Sequence, residues 1–176
     1  MGGSLDISYG VCRDIAEKRP LGLAPWIDWL PKDHQRDCYA VAALARTLRD
    51  LLDDVDEGKI SREQAREAVA FWRQWFADGC WDDVDDPIAE GVRYAVLANE
   101  IPLDLFLQYI DSLSDDLAGT RYREIGDLIG YGYMSSSTIW LATCHILGTD
   151  DDEGRARAAE LGVAIRLTDV ICEVGA

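Results

Sequence analysis

Apolar residues return every three or four positions through most of this chain, and the two-residue alternation of a half-buried strand is nearly absent. That periodicity restricts the fold to packed helices. The clearest segment runs from Pro31 to Val55. Cys38, Val41, Ala45, Leu48, Leu52 and Val55 form one apolar stripe, and Arg46, Arg49, Asp50, Asp53, Asp54 and Glu57 take the other side. Pro31 suits a first-turn position, and Gly58 can end the element. Ser61 and Gln64 make a capping box, with Ile60 as its staple, for a helix that carries Ala65, Val69, Trp72, Trp75 and Phe76 and stops at Gly79. Further helices are expected from Pro87 to Asn99, from Pro102 to Leu117, and from Tyr122 to Leu147 with Gly148 as the stop. A last one opens on the acids Asp150, Asp151, Asp152 and Glu153, which favour the positive end of a helix dipole, and reaches Val174. No repeat, low-complexity tract or long linker divides the chain, so residues 1–176 are expected to form one all-α bundle.

Charge narrows the choice of ligand. The formal net charge of -16 opposes nucleic acid, which is bound by Lys and Arg neutralising phosphates, and it opposes anionic membrane surfaces. An acidic chain still accepts a diphosphate where divalent cations bridge the two sets of negative charge. Cys12, Cys38, Cys80, Cys144 and Cys172 are odd in number and widely spaced, which argues against a disulfide framework or zinc site and fits a reducing cytoplasm. The N-terminus carries neither the basic nor the apolar region of a signal peptide. The longest apolar stretch, Ile139 to Leu147, is broken by Thr143 and His145 and is too short to span a bilayer. A soluble, cytoplasmic protein is the expectation. His34 and His145 lack any paired-ligand spacing and read as structural.

Two groups of carboxylates carry possible chemistry. Asp50 and Asp54, Asp50 and Asp53, and Asp53 and Glu57 lie three or four residues apart, so each pair shares a helix face. Like charges there repel unless a cation neutralises them, and Mg²⁺ binds such carboxylates together with substrate phosphates. A solvated acidic face is the competing reading. Near the C-terminus, Arg166, Asp169 and Glu173 share a stripe with Gly162. A glycine inside a helix costs about 1 kcal/mol relative to alanine, so Gly162 marks a close approach, by a ligand or by a packed helix.

These residues sit in a pattern that resembles the squalene/phytoene synthase family across nearly the whole chain. Leu30-Pro31, then Arg36 and Arg46, resembles the family's entry to its first aspartate-rich helix. Ile101-Pro102, Phe106 and Ile110-Asp111-Ser112 resemble its I-P…F…I-D-G segment. Asp116-Leu117, Thr120-Arg121-Tyr122, Asp127-Leu128 and Tyr131-Gly132-Tyr133 match D-L…T-R-Y…L…Y-C-Y without a gap. Leu161-Gly162-Val163-Ala164 and Leu167-Thr168-Asp169-Val170 resemble L-G-x-A-x-Q-L-T-N-I.

The resemblance implies a helical bundle of the type I isoprenoid synthase kind, lacking the family's C-terminal helices. Mg²⁺ would be held between two acidic helices and two prenyl diphosphates condensed head to head. A terpene cyclase on the same site, or a non-catalytic binding or partner module, are the alternatives. Carried over by position, Asp50, Asp53 and Asp54 serve the first metal motif, and Asp169 and Glu173 the second. Tyr131 works near the departing diphosphate, with Arg46 and Arg121 as catalytic contacts to its oxygens, and Arg166, Tyr133 and Gly162 border the substrate. Arg121 could equally pair with Asp116 on the surface. The pattern departs at Arg49, where the family's first aspartate falls, and at Arg166, which replaces a glutamine. Asp169 replaces an asparagine, Cys172 an arginine, and Glu173 an aspartate; Ala176 ends the chain one residue before the second motif's last acid. Apolar surface left by the missing helices is expected to be covered by self-association into a homo-oligomer.

Overall fold

One helix, α3 (Lys32–Asp56), organises the rest. The structure, a computed structural model, describes residues 2–18, 24–79 and 85–174, with side chains for 5–18, 26–79 and 85–172. α3 was expected to bury a single stripe. Instead Cys38 to Arg46 are buried around the whole circumference, together with Leu48. The reason is the run of small residues, Ala40, Ala42, Ala43 and Ala45, whose short side chains let neighbouring helices close on every side. α1 (Gly2–Lys18) and α5 (Pro87–Asn99) pack on one flank of α3, and α6 (Leu103–Ala118) and α8 (Thr138–Leu147) on the other. α4 (Arg62–Ala77) lies along α6, with Phe76 stacked on Phe106 at 4.7 Å between centroids.

The expected boundaries hold where side chains set them. Gln64 N–H donates to Ser61 Oγ at 3.2 Å and Ser61 N–H to Gln64 Oε1 at 2.8 Å, which closes the capping box of α4. Asp86 caps α5 by accepting from Ile88 N–H at 2.7 Å, with Pro87 in the first turn. α9 (Asp152–Val174) begins in the acidic run, where Asp151 accepts from Gly154 N–H at 2.7 Å. Gly119 and Gly148 end their helices with φ of 75° and 64°. α1 and the short α2 (Ala24–Ile27) were not foreseen, because neither opens on a capping signal.

The long helix expected from Tyr122 differs in two ways. It starts at Ile125, as α7 (Ile125–Gly132), and passes through a π-helical segment, Tyr133–Ser137, before continuing as α8. Ser135 and Thr138 hydroxyls donate to the carbonyls of Tyr131 and Met134 at 2.7 and 2.9 Å, satisfying acceptors in the widened turns. α9 crosses this segment at Gly162. A Cβ there would stand 2.4 Å from Ser137 Cα, so only glycine permits the approach. Ile125, Ile129 and Ile171 stay exposed on α7 and α9. Among the described residues, no helix is long and apolar enough to cross a membrane. Cys12, Cys38 and Cys144 are buried free thiols and Cys172 is an exposed one; Cys80 lies outside the described residues.

Candidate active site

A cavity of about 490 Å³ opens between α3, α6 and α9, lined by Arg49, Asp53, Asp56, Arg62, Asp116 and Arg166 among others. Tyr131 lies at the centre of a polar network beside it and is only 6% exposed. Its hydroxyl donates to Asp116 Oδ2 at 2.8 Å and accepts from Arg166 Nη2 at 2.7 Å. Arg49 Nη1 reaches the same Asp116 oxygen at 3.1 Å. The Arg166 guanidinium also lies over the Tyr131 ring, 5.2 Å from its centroid. Four elements thus contribute: Arg49 from α3, Asp116 from α6, Tyr131 from α7 and Arg166 from α9.

Electrostatics keep the phenol in the middle of this network neutral. Burial raises the Tyr131 pKa; Arg166 opposes that, and Asp116 reinforces it. The phenol therefore stays protonated at neutral pH. Burial alone would lower the Arg49 pKa, but Tyr131, Tyr109 and Asp116 together raise it above the usual guanidinium range. The Tyr122 ring lies tilted by 31° against that of Tyr131 with centroids 4.7 Å apart, and its buried hydroxyl has no hydrogen-bond partner among the described residues. Burial and the nearby Asp116 raise its pKa as well.

The first acidic motif is partnered by the chain itself. Arg46, expected on the polar side of α3, is 6% exposed. Its Nε donates to Asp50 at 2.8 Å and its Nη2 to Asp53 at 2.7 Å. Burial pulls the Arg46 pKa down, and the bonds to Asp50 and Asp53 outweigh it. Asp54 bonds Lys59 at 3.0 Å. Asp50, Asp53 and Asp54 also line a second cavity of about 500 Å³ on the α1 side of α3, with Lys18, Arg46 and Lys59.

Other expected site residues lie apart. Asp169 is exposed on α9 and lines neither cavity, and the Glu173 side chain lies outside the described residues. Gly162 packs on Ser137, the helix-packing alternative. Tyr133 packs against Leu141, Cys144 and Ala158. Arg121 is exposed, and Asp116 pairs with Arg49, not with Arg121. Sequence reasoning did not assign Asp116 and Arg49 to the site. Asp116 stands in the D-L piece of the matched pattern, which was the available signal. Nothing in spacing pairs residues 67 apart.

Comparison with known proteins identifies relatives of the chain as a whole. The squalene/phytoene synthase family model matches residues 25–176. The phytoene synthase of Thermus thermophilus is 29% identical over 148 residues, which cover 82% of this chain and 47% of the relative. That of Mycobacterium tuberculosis is 24% identical over 170 residues, 97% of this chain and 54% of the relative. Among solved structures, a dehydrosqualene synthase in complex with ligand superposes with a TM-score of 0.75 at 20% identity, over 94% of this chain and 56% of that one. The squalene synthase HpnC of Alicyclobacillus acidocaldarius gives 0.73 at 21% identity, over 91% and 59%. The chain spans about half the length of the curated relatives it matches. With the family model covering α3 to α9 and the shared helical fold, the chain belongs to the squalene/phytoene synthase family.

Proposed function

We propose that this chain binds prenyl diphosphates and takes part in their head-to-head condensation. The observation that carries the reading is the Arg49–Asp116–Tyr131–Arg166 network at the wall of the α3/α9 cavity, with Tyr131 and Arg166 buried and Arg49 and Asp116 half-buried. In that reaction the bond from the prenyl C1 to the diphosphate oxygen breaks, and its electron pair leaves with the diphosphate. The double bond of the second prenyl chain then attacks the allylic cation to form the new carbon–carbon bond, and the cation this creates is neutralised by losing a proton to the released diphosphate. Guanidinium groups beside the leaving oxygens stabilise the charge that develops there. A protonated Tyr131 adds a neutral donor at the same place.

Mg²⁺ is the ion that the family resemblance implies, and the donor set tests its fit. Asp50 and Asp53 are both engaged by Arg46, Asp54 by Lys59, and Asp116 by Arg49. Among the described residues, no three His, Cys, Asp or Glu side chains converge into a metal-binding group. The α3 carboxylates as arranged do not fit the ion. Arg49, in the place of an aspartate, favours a second reading, a family member that binds prenyl diphosphates without turnover.

The test is incubation of the complete chain with prenyl diphosphates of several lengths, with and without Mg²⁺. Release of inorganic pyrophosphate with a coupled product, identified by mass, is the expected result. Binding without pyrophosphate release would favour the second reading, and neither binding nor release would overturn both.

A further inference from the structure

We propose that Arg49 and Arg166 grip the diphosphate headgroup directly, so that this chain holds its ligand without a divalent ion. The inference rests on the prenyl-diphosphate reading and specifies what recognises the headgroup. Arg49 on α3 and Arg166 on α9 line the same cavity, and Arg62 adds a third guanidinium, tied to the Leu117 carbonyl at 2.9 Å. Arginine suits this task. Its planar fork pairs bidentately with phosphate oxygens, and it keeps its charge when buried, where lysine loses its proton more readily. Arg166 is 8% exposed, so water screens it little.

Two of the three carboxylates on this lining, Asp53 and Asp116, are already matched by fixed cations, and Asp56 alone gives a divalent ion too few ligands. A magnesium ion would have to displace Arg46 from Asp53, at 2.7 Å, or Arg49 from Asp116, at 3.1 Å. A diphosphate asks for less. It carries more negative charge than a single carboxylate and competes for Arg49, while Asp116 keeps the Tyr131 hydroxyl at 2.8 Å and is not left bare. The Nη2 of Arg166 donates to a neutral hydroxyl at 2.7 Å, and that one bond costs less to exchange for a phosphate oxygen than a charged one. Three arginines face three aspartates on this lining, a neutral wall in a chain of net charge -16.

Isothermal titration of the complete chain tests this, with inorganic pyrophosphate and then a prenyl diphosphate, each in EDTA and in excess Mg²⁺. Both ligands should bind in EDTA, within about threefold of their affinity in Mg²⁺, a difference below 1 kcal/mol. Arg49→Gln and Arg166→Gln should each weaken binding in EDTA about tenfold or more, the loss of a charge-assisted hydrogen bond. Arg49→Asp should make binding require Mg²⁺. Binding of the wild type in Mg²⁺ alone overturns the inference and leaves the prenyl-diphosphate reading standing; this comparison needs no variant to fold. Unchanged affinity in both glutamine variants, with unliganded melting curves like the wild type, also overturns it. Pyrophosphate binding in EDTA without any prenyl-diphosphate binding supports the arginine grip and sinks the prenyl reading.

Discussion

At the scale of residues, the site depends on a phenol held between opposite charges. Tyr131 bridges Asp116 on the preceding helix and Arg166, 35 residues further along the chain. Tyr131→Phe removes both bonds with little change of shape. It leaves Asp116 and Arg166 less well satisfied, at a cost of about 1–3 kcal/mol, which a denaturant titration would read as a lower midpoint with an unchanged slope. Pyrophosphate release should fall by at least about tenfold if the hydroxyl assists departure of the diphosphate. A variant as stable and active as the wild type would contradict the role given to this network.

At the scale of elements, the close crossing of α9 over the π-helical segment places Arg166 beside Tyr131. Gly162→Ala puts a methyl group 2.4 Å from Ser137 Cα, against backbone that has no rotamer to change. The expected loss is about 1–3 kcal/mol, with weakened diphosphate binding because Arg166 lies one turn further along. Gly130→Ala is the control: its Cβ meets nothing within 4 Å, and helix propensity favours it by about 1 kcal/mol. Equal melting temperatures for the two variants would refute the packing account. Most of this element structure was legible in the sequence, since capping boxes, stop glycines and apolar spacing are local signals. The Ser61 cap, Pro87 start and Gly148 stop appear as expected. The burial of Arg46 and the Arg49–Asp116 pair were not legible. Both depend on which helix packs against which, and a helical wheel of α3 assigns those arginines to solvent. The π segment was hidden for a similar reason: it is stabilised by hydroxyl-to-carbonyl bonds and by a glycine on another helix.

At the scale of the whole molecule, buried neutral groups make the fold sensitive to alkali. Burial, reinforced by neighbouring aspartates, raises the Cys12 and Cys38 thiols from 9.0 to about 12. Because the folded pKa exceeds the unfolded one, their contribution is fully present below pH about 9 and is lost as pH climbs towards about 12. Melting temperature should therefore fall steadily over that window, and Cys12→Ser/Cys38→Ser should flatten the fall; a slope unchanged by the substitutions would contradict it. The larger claim is that α3 and α9 face each other across one cavity and present a prenyl diphosphate headgroup with arginines. The most direct measurement is a crystal structure of the chain with an unreactive prenyl diphosphate analogue. The account predicts the headgroup between α3 and α9, with its oxygens within hydrogen-bonding reach of Arg49 and Arg166 beside Tyr131. A headgroup seated in the groove of Lys18 and Lys59 on the other side of α3, or outside both cavities, would contradict it.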